Sequence, residues 1–353
     1  MYALLIVSCT CIQSHGGVGE ENVMLDMATD LFVYPFINFP PEGHSFLGKE
    51  SRCKTLFDRA LHHFGVFYHL HTPEKHPVIF RNPQDYRMAM TIIATCAFDC
   101  PGIRIITFEL MSNHVHFVVC GSEDEVMAFF ELFKKRLKRY FGSLRKAVDL
   151  SGFIGKTVGI PTLEALRNQI GYTNRNNYVI NPAYTPFSYP YGAGNCYFPA
   201  YQIRPDYYYK EMTFREKRKM LHTHRLDYPG EMEIVNQHIS PVSFCMIHFG
   251  ESVFRDARHY FFKISREIES YKEIAEALYE SVYYTDDELN AVIYKICNDR
   301  FDGQQATLLP HSDKIMLAKK LHFEYNADNG KIARLLKLQI DFVDSLFPLK
   351  KKQ

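Results

Sequence analysis

Between Phe64 and Phe141 the apolar positions recur first every second residue and then every third or fourth, and this switching of periods predicts the order of elements. FGVFYHLH, Phe64 to His71, reads as a strand stopped by Pro73, with HPVIF, His76 to Phe80, as its partner in a ribbon. Asn82-Pro83 supplies an N-cap and a proline at the first helical position, so a helix should run to about Phe98 with Tyr86, Met90, Ile93 and Ala97 on one face. Pro101-Gly102 ends it. Ile103 to Met111 is strand again, and FELMSNHVHFVV, Phe108 to Val119, reads as two strand runs joined by a tight Ser112-Asn113 turn. From about Asp124 to Phe141, Val126, Phe130, Phe133, Leu137 and Tyr140 mark one helical face.

Strand, helix, strand, strand, helix around an antiparallel sheet predicts an α+β fold of ferredoxin-like kind. Before it, Ser51 to Leu61 is compatible with helix, whereas residues 1–50 hold Gly, Pro and acidic residues without a sustained period. The opening MYALLIVSCTCIQSH is apolar but short and has no basic start, so it reads as an extension with a functional start at Met24 or Met27. After the sheet, Pro161 to Pro182 begins as a helix with Leu163, Leu166 and Ile170 in one stripe, which puts Tyr172 and Asn176 together on the far, solvent side. Residues 201–310 are helical in pattern. Ser312 to Pro348 divides into three short amphipathic helices, broken at Asn326 to Gly330 and near Leu338, which is the pattern of a helix-turn-helix: Gly330 to Lys337 supporting, Ile340 to Phe347 recognising. The expected division is an extension (1–50), a catalytic domain (51–200), a helical connection (201–310) and a DNA-binding tail (311–353).

A net charge of +1 excludes a blanket polycation, so any nucleic-acid contact has to come from local patches. Two are visible. Lys134, Lys135, Arg136, Lys138 and Arg139 fall on the polar side of one helix without an intervening acid, and Ser312 to Gln353 holds nine Lys/Arg against five Asp/Glu, with Lys331, Arg334 and Lys337 among them. Nine scattered cysteines without a CxxC pair predict reduced thiols and a cytoplasmic protein, and no stretch approaches the apolar length of a membrane span. Gly155-Lys156-Thr157 is not a P-loop, because the leading glycine would stand where the chain has Leu150.

Three His-x-His spacings occur: His69/His71, His114/His116 and His222/His224. On a strand His114 and His116 point the same way while Val115, Phe117 and Val119 point the other, which sets two imidazoles side by side as a candidate metal pair. His222/His224 falls in an expected helix, where residues two apart do not face each other. Tyr172, one turn from Asn176, brings a phenol able to act as nucleophile and an amide oxygen able to bind a cation or water.

These residues resemble the HUH-type single-tyrosine transposases, and most closely the REP-associated tyrosine transposases. LMSNHVHFVV, Leu110 to Val119, matches the family's Met-Pro-Asn-His-Val-His strand with Ser112 in place of proline. Tyr172-Thr-Asn-Arg-Asn176 followed by INPAYTPFSYPYG, Ile180 to Gly192, matches its Tyr-Ile-x-x-Asn-Pro helix and the segment after it, with Thr173 for Ile, Asn177 for Pro, and extra residues before Asn181-Pro182. The resemblance covers about Phe64 to Gly192. It implies that His114, His116 and Asn176 bind Mg²⁺ or Mn²⁺, and that Tyr172 attacks a phosphate of single-stranded, hairpin-forming DNA to give a 5′-phosphotyrosine, with Tyr178 as the other tyrosine in range. It also implies a homodimer made by sheet pairing, and adds Arg175 to the DNA-contact candidates. The alternatives are an inactive DNA-binding descendant that regulates, and a relaxase or replication-initiator type of HUH nickase.

Overall fold

Four strands build the central sheet: β1 (Val66–His71), β2 (Arg104–Leu110), β3 (Val115–Gly121) and β4 (Lys156–Ile160). They lie in the order β2-β3-β1-β4 with every neighbouring pair antiparallel. Helix α2 (Pro83–Asp99) connects β1 to β2 and α3 (Glu123–Ser143) connects β3 to β4, so the chain runs β-α-β-β-α-β. This is a computed structural model, and it describes residues 46–348 apart from 75, 147, 181–183, 186, 200, 202, 267–273, 276, 279–283 and 285; for 46, 47, 177–180, 266 and 287 it describes the backbone only. The expected extension, residues 1–50, therefore lies mostly outside the described residues.

Local chemistry sets the boundaries of both connecting helices. The Asn82 side chain accepts from the Gln84 and Asp85 amides ahead of Pro83, and Ser122 with Glu125 closes a reciprocal capping box at the start of α3. The first helix, α1 (Phe46–Phe64), begins earlier than its sequence pattern indicated.

His76 to Phe80 is not the ribbon partner expected for β1. Both edges of β1 are already taken, by β3 and by β4, so no ladder is left for it. Instead the Ile79 and Phe80 amides both donate to the Ser112 carbonyl, at 2.8 and 3.0 Å, and the segment ties down the β2–β3 turn.

The two faces of the sheet differ. Phe117 sends its ring toward Phe129 and Phe133 of α3, and Phe108 lies beside Phe117 on that side. The opposite face carries Thr107, His69, His71 and His116, and across it lies α4 (Leu163–Ile180), joined to the sheet where Thr107 Oγ1 donates to Asn174 Oδ1.

One apolar core runs from Phe57 to Ile264, and a second joins Tyr284 to Phe347. The first takes in α5 (Phe214–Leu221), α6 (Ile247–Ser252) and α7 (Ala257–Arg266), and a small sheet of β5 (Tyr207–Tyr208), β6 (Glu233–Val235) and β7 (His238–Ile239). Residues 201–310 are thus not purely helical; strands of two or three residues are too short to print a period in the sequence. The second core belongs to α8 (Asp286–Arg300), α9 (His311–Tyr325), α10 (Asn329–Leu336) and α11 (Ile340–Leu346). Left-handed Asn326 and Lys337 end α9 and α10, and Asp328 caps α10, where the sequence placed its breaks. Among the described residues no helix is long and apolar enough to cross a membrane.

Candidate active site: a histidine face beneath a tyrosine helix

Strand register assembles the site. His116 of β3 stands opposite Glu109 of β2 on one side and His71 of β1 on the other, so Glu109, His116 and His71 form a row across one face, continued on β4 by Lys156. His69 lies two residues before His71 on the same face. The His116 ring centroid is 4.9 Å from that of His114, 5.3 Å from His69 and 6.4 Å from His71. The pair His114/His116 therefore shares its face with the pair His69/His71. Sequence alone offered the two spacings separately; that they would meet depends on a register between strands far apart in the chain.

Tyr172 comes to this face from α4, its ring centroid 5.8 Å from His116 and 6.1 Å from His69. One turn earlier on the same helix, Gln169 Oε1 lies 2.5 Å from His69 Nδ1, and His69 Nε2 lies 3.0 Å from His116 Nδ1. Two side-chain amides therefore touch the histidines, Gln169 at His69 and Asn113 at His114, and Gln169 carries no signal of its own in the sequence. Asn176 stands half-buried one turn after Tyr172, and the side chain of Tyr178 lies outside the described residues.

Tyr172 is not on a solvent face as its spacing from the apolar stripe indicated. It is only 6% exposed and packs with Val158, Ile274, Ala275 and Leu278. The reason is that α4 is covered on both sides. Asn174 bridges from Thr107 in the sheet to the Tyr260 hydroxyl of α7, and Lys263 of α7 pairs with Glu164 and reaches Asn168 at 3.0 Å.

Burial decides the charge of the histidines. Desolvation first, then the neighbouring His71, push His69 down to about 3, with the Gln169 hydrogen bond opposing. Desolvation, and then His114, His69 and His71, hold His116 well below the ordinary histidine range. Both are neutral at pH 7 and carry a lone pair each. Among the described residues no three His, Cys, Asp or Glu side chains are grouped to hold a metal ion.

The later part of the motif comes back to the same strands. Tyr189 donates its hydroxyl to the Leu110 carbonyl at 2.6 Å, the Leu110 amide donates to Tyr191, and the Ala193 amide donates to Phe108. Gly192 bridges Glu109, and a Cβ there would stand 2.7 Å from the Phe108 carbonyl oxygen, so only glycine fits this approach. Asn181-Pro182 lies outside the described residues.

The DNA-contact candidates divide. Lys135, Lys138 and Arg139 are exposed on α3 and Lys134 is half-buried, but Arg136 is drawn inward to Asp99 and to Thr95 Oγ1. Arg175, expected at the DNA, is buried in an ion pair with Glu288 at 2.5 Å. Lys331 donates to the Tyr284 carbonyl and Arg334 makes a two-pronged pair with Asp286, while Lys337 is exposed at the end of α10. Helix α11 carries Asp341 and Asp344 and no cation. His222 ends α5 in a left-handed conformation, so the third histidine pair lies beyond the helix expected to hold it.

No family model matches the chain, and no curated protein matches it. Among solved structures it is similar to one described as the structure of the REP-associated tyrosine transposase bound to a REP hairpin, at 12% identity over 49% of this chain and 91% of that one. The TM-score is 0.30, a likeness too slight to carry an argument.

Proposed function

We propose that the protein is a transposase-like DNA strand transferase that cleaves and rejoins single-stranded, hairpin-forming DNA, with Tyr172 as nucleophile. The reading is supported by one placement above all: the ring of Tyr172 lies 5.8 Å from His116, though the two come from different elements far apart in the sequence. The β-α-β-β-α-β connectivity, with order β2-β3-β1-β4, is in keeping with the ferredoxin-like expectation.

His114 and His116, with Asn176 as third donor, would hold Mg²⁺ or Mn²⁺; such an ion polarises the phosphate and offsets charge that develops on it. The Tyr172 oxygen attacks phosphorus and gives up its proton to solvent, the P–O3′ bond breaks, and the departing 3′ oxygen takes up a proton. A phenol with a pKa near 10 is a weak nucleophile at pH 7, so the electrostatics around it must favour the phenolate. The product is a 5′-phosphotyrosine, and attack by another 3′-hydroxyl reverses the step without ATP. Exposed Lys135, Lys138 and Arg139 would follow the phosphates, and α10 with α11 would act as a helix-turn-helix. A sheet-paired homodimer would form through β4, since the edge of β2 is already met by Gly192 and Cys245.

One observation favours a second reading, a DNA-binding protein that does not cut: Tyr172 is only 6% exposed. A cleavage assay separates the two. Single-stranded DNA carrying the hairpins beside the gene, with Mg²⁺ or Mn²⁺, should yield a covalent protein–DNA adduct. Tyr172→Phe should abolish the adduct and keep hairpin binding; an adduct formed by the Phe variant contradicts the assignment.

A further inference from the structure

We infer that two side-chain amides, Asn113 directly and Gln169 through His69, hold His114 and His116 as the tautomer protonated on Nδ1, so that both rings present their lone pair at Nε2. Asn113, Gln169 and His69 are then positioning residues for the histidine pair.

The argument begins at Asn113, whose amide orientation is fixed. Its Nδ2 group donates to the backbone carbonyls of Glu74 and His76, the latter at 3.1 Å. The atom left to face His114 is Oδ1, 2.8 Å from His114 Nδ1. An amide oxygen only accepts, so the proton between them belongs to His114 Nδ1. In the neutral ring the lone pair is then on Nε2.

A longer chain does the same for His116. Gln169 Oε1 is 2.5 Å from His69 Nδ1, which places the His69 proton on Nδ1 and its lone pair on Nε2. That Nε2 lies 3.0 Å from His116 Nδ1, which must therefore donate, leaving the lone pair of His116 on Nε2. The relay works only while both rings are neutral, and both are fully buried. An unconstrained neutral histidine side chain favours the proton on Nε2, so the opposite tautomer at two neighbouring positions has to be enforced by its surroundings.

A ring that donates from one nitrogen to a fixed acceptor is oriented and made a better ligand at the other. What the pair ligates rests on the function proposed above; the tautomers themselves do not. The inference gives a purpose to Asn113, which precedes the histidines in the strand motif, and to Gln169, one turn before Tyr172.

The test is two-bond proton–nitrogen NMR on full-length, EDTA-treated protein labelled with ¹⁵N-histidine at neutral pH. The His114 and His116 patterns are identified by their loss in His114→Gln and His116→Gln. Both should show a protonated Nδ1 and an unprotonated Nε2. Gln169→Met should move the His116 Nε2 signal into the protonated region and leave His114 unchanged, whereas Gln169→Glu, which keeps an acceptor oxygen, should preserve the wild-type pattern. Asn113→Leu should shift His114 alone. A protonated Nε2 in either ring of the wild-type protein overturns the inference, as does a His116 pattern unmoved by Gln169→Met. If the variants do not fold, the wild-type spectrum still decides. Wild-type protein with both rings protonated on Nδ1 but no DNA adduct would leave this inference standing and defeat the proposed function.

Discussion

Helices α3 and α4 lie on opposite faces of one sheet and use their polar residues in opposite ways. On α3 the apolar stripe Val126, Phe130, Phe133, Leu137 and Tyr140 is buried while Lys135, Lys138 and Arg139 stay in water. On α4 the polar side is buried as well: Arg167, Gln169, Thr173, Asn174 and Arg175 are all inside. A helix with one neighbour keeps its polar groups solvated at no cost. One pressed between a sheet and further helices needs partners for its polar groups, and Arg167, Gln169, Asn174 and Arg175 find them in Glu50, His69, Thr107, Tyr260 and Glu288. Buried polarity of that kind is where chemistry can be held in place.

The largest effect on stability should come from breaking this pattern on α4. Arg175→Met leaves Glu288 buried without its cation, and a change of that type costs about 3–5 kcal/mol, which a denaturation midpoint would register. Lys138→Met on α3 should change stability by no more than about 0.5 kcal/mol. Equal losses from the two substitutions would break the comparison.

A pH effect of intermediate size is expected at His238, on β7. Burial holds His238 down to about 4, whereas the unfolded chain titrates near 6.5. Above the unfolded value both states are neutral and the group contributes nothing. As pH falls below it the unfolded chain takes up a proton that the folded protein refuses, so stability declines until the folded value is reached, by at most about 1.4 kcal/mol per pH unit. His238→Gln should flatten that part of the profile of folding midpoint against pH; an unchanged slope contradicts the burial argument.

The smallest effect concerns the solvated face of α3. Lys135→Gln, Lys138→Gln or Arg139→Gln should each leave folding unaltered and lower the salt slope of hairpin binding by about 1. Arg136→Gln should instead destabilise the fold, because Arg136 is bound to Asp99. A change in the salt slope from Arg136 alone would reverse the roles assigned to that face.

Much of α3 was legible because a single solvated face writes its period into the sequence, and Ser122 with Glu125 marks the start. The same holds for α2 at Asn82-Pro83 and for the breaks at Asn326 and Lys337. Tyr172 was found as a candidate but set on the wrong side, since reading a helix by its apolar stripe assumes that the other side meets water. The sequence shows His69 only within a separate His-x-His spacing, because its meeting with His116 depends on the pairing of β1 with β3, and the pattern offers His76 to Phe80 as the partner of β1. Gln169 carries no signal of its own: glutamine on a helix is ordinary until the residue it faces is known.

The most direct measurement is peptide mapping of the covalent adduct formed with single-stranded hairpin DNA. The account predicts a nucleotide attached through its 5′ phosphate to the peptide containing Tyr172, on Tyr172 itself. Attachment to Tyr178 or to any other residue would contradict it, as would the absence of any adduct under conditions where the hairpin is bound.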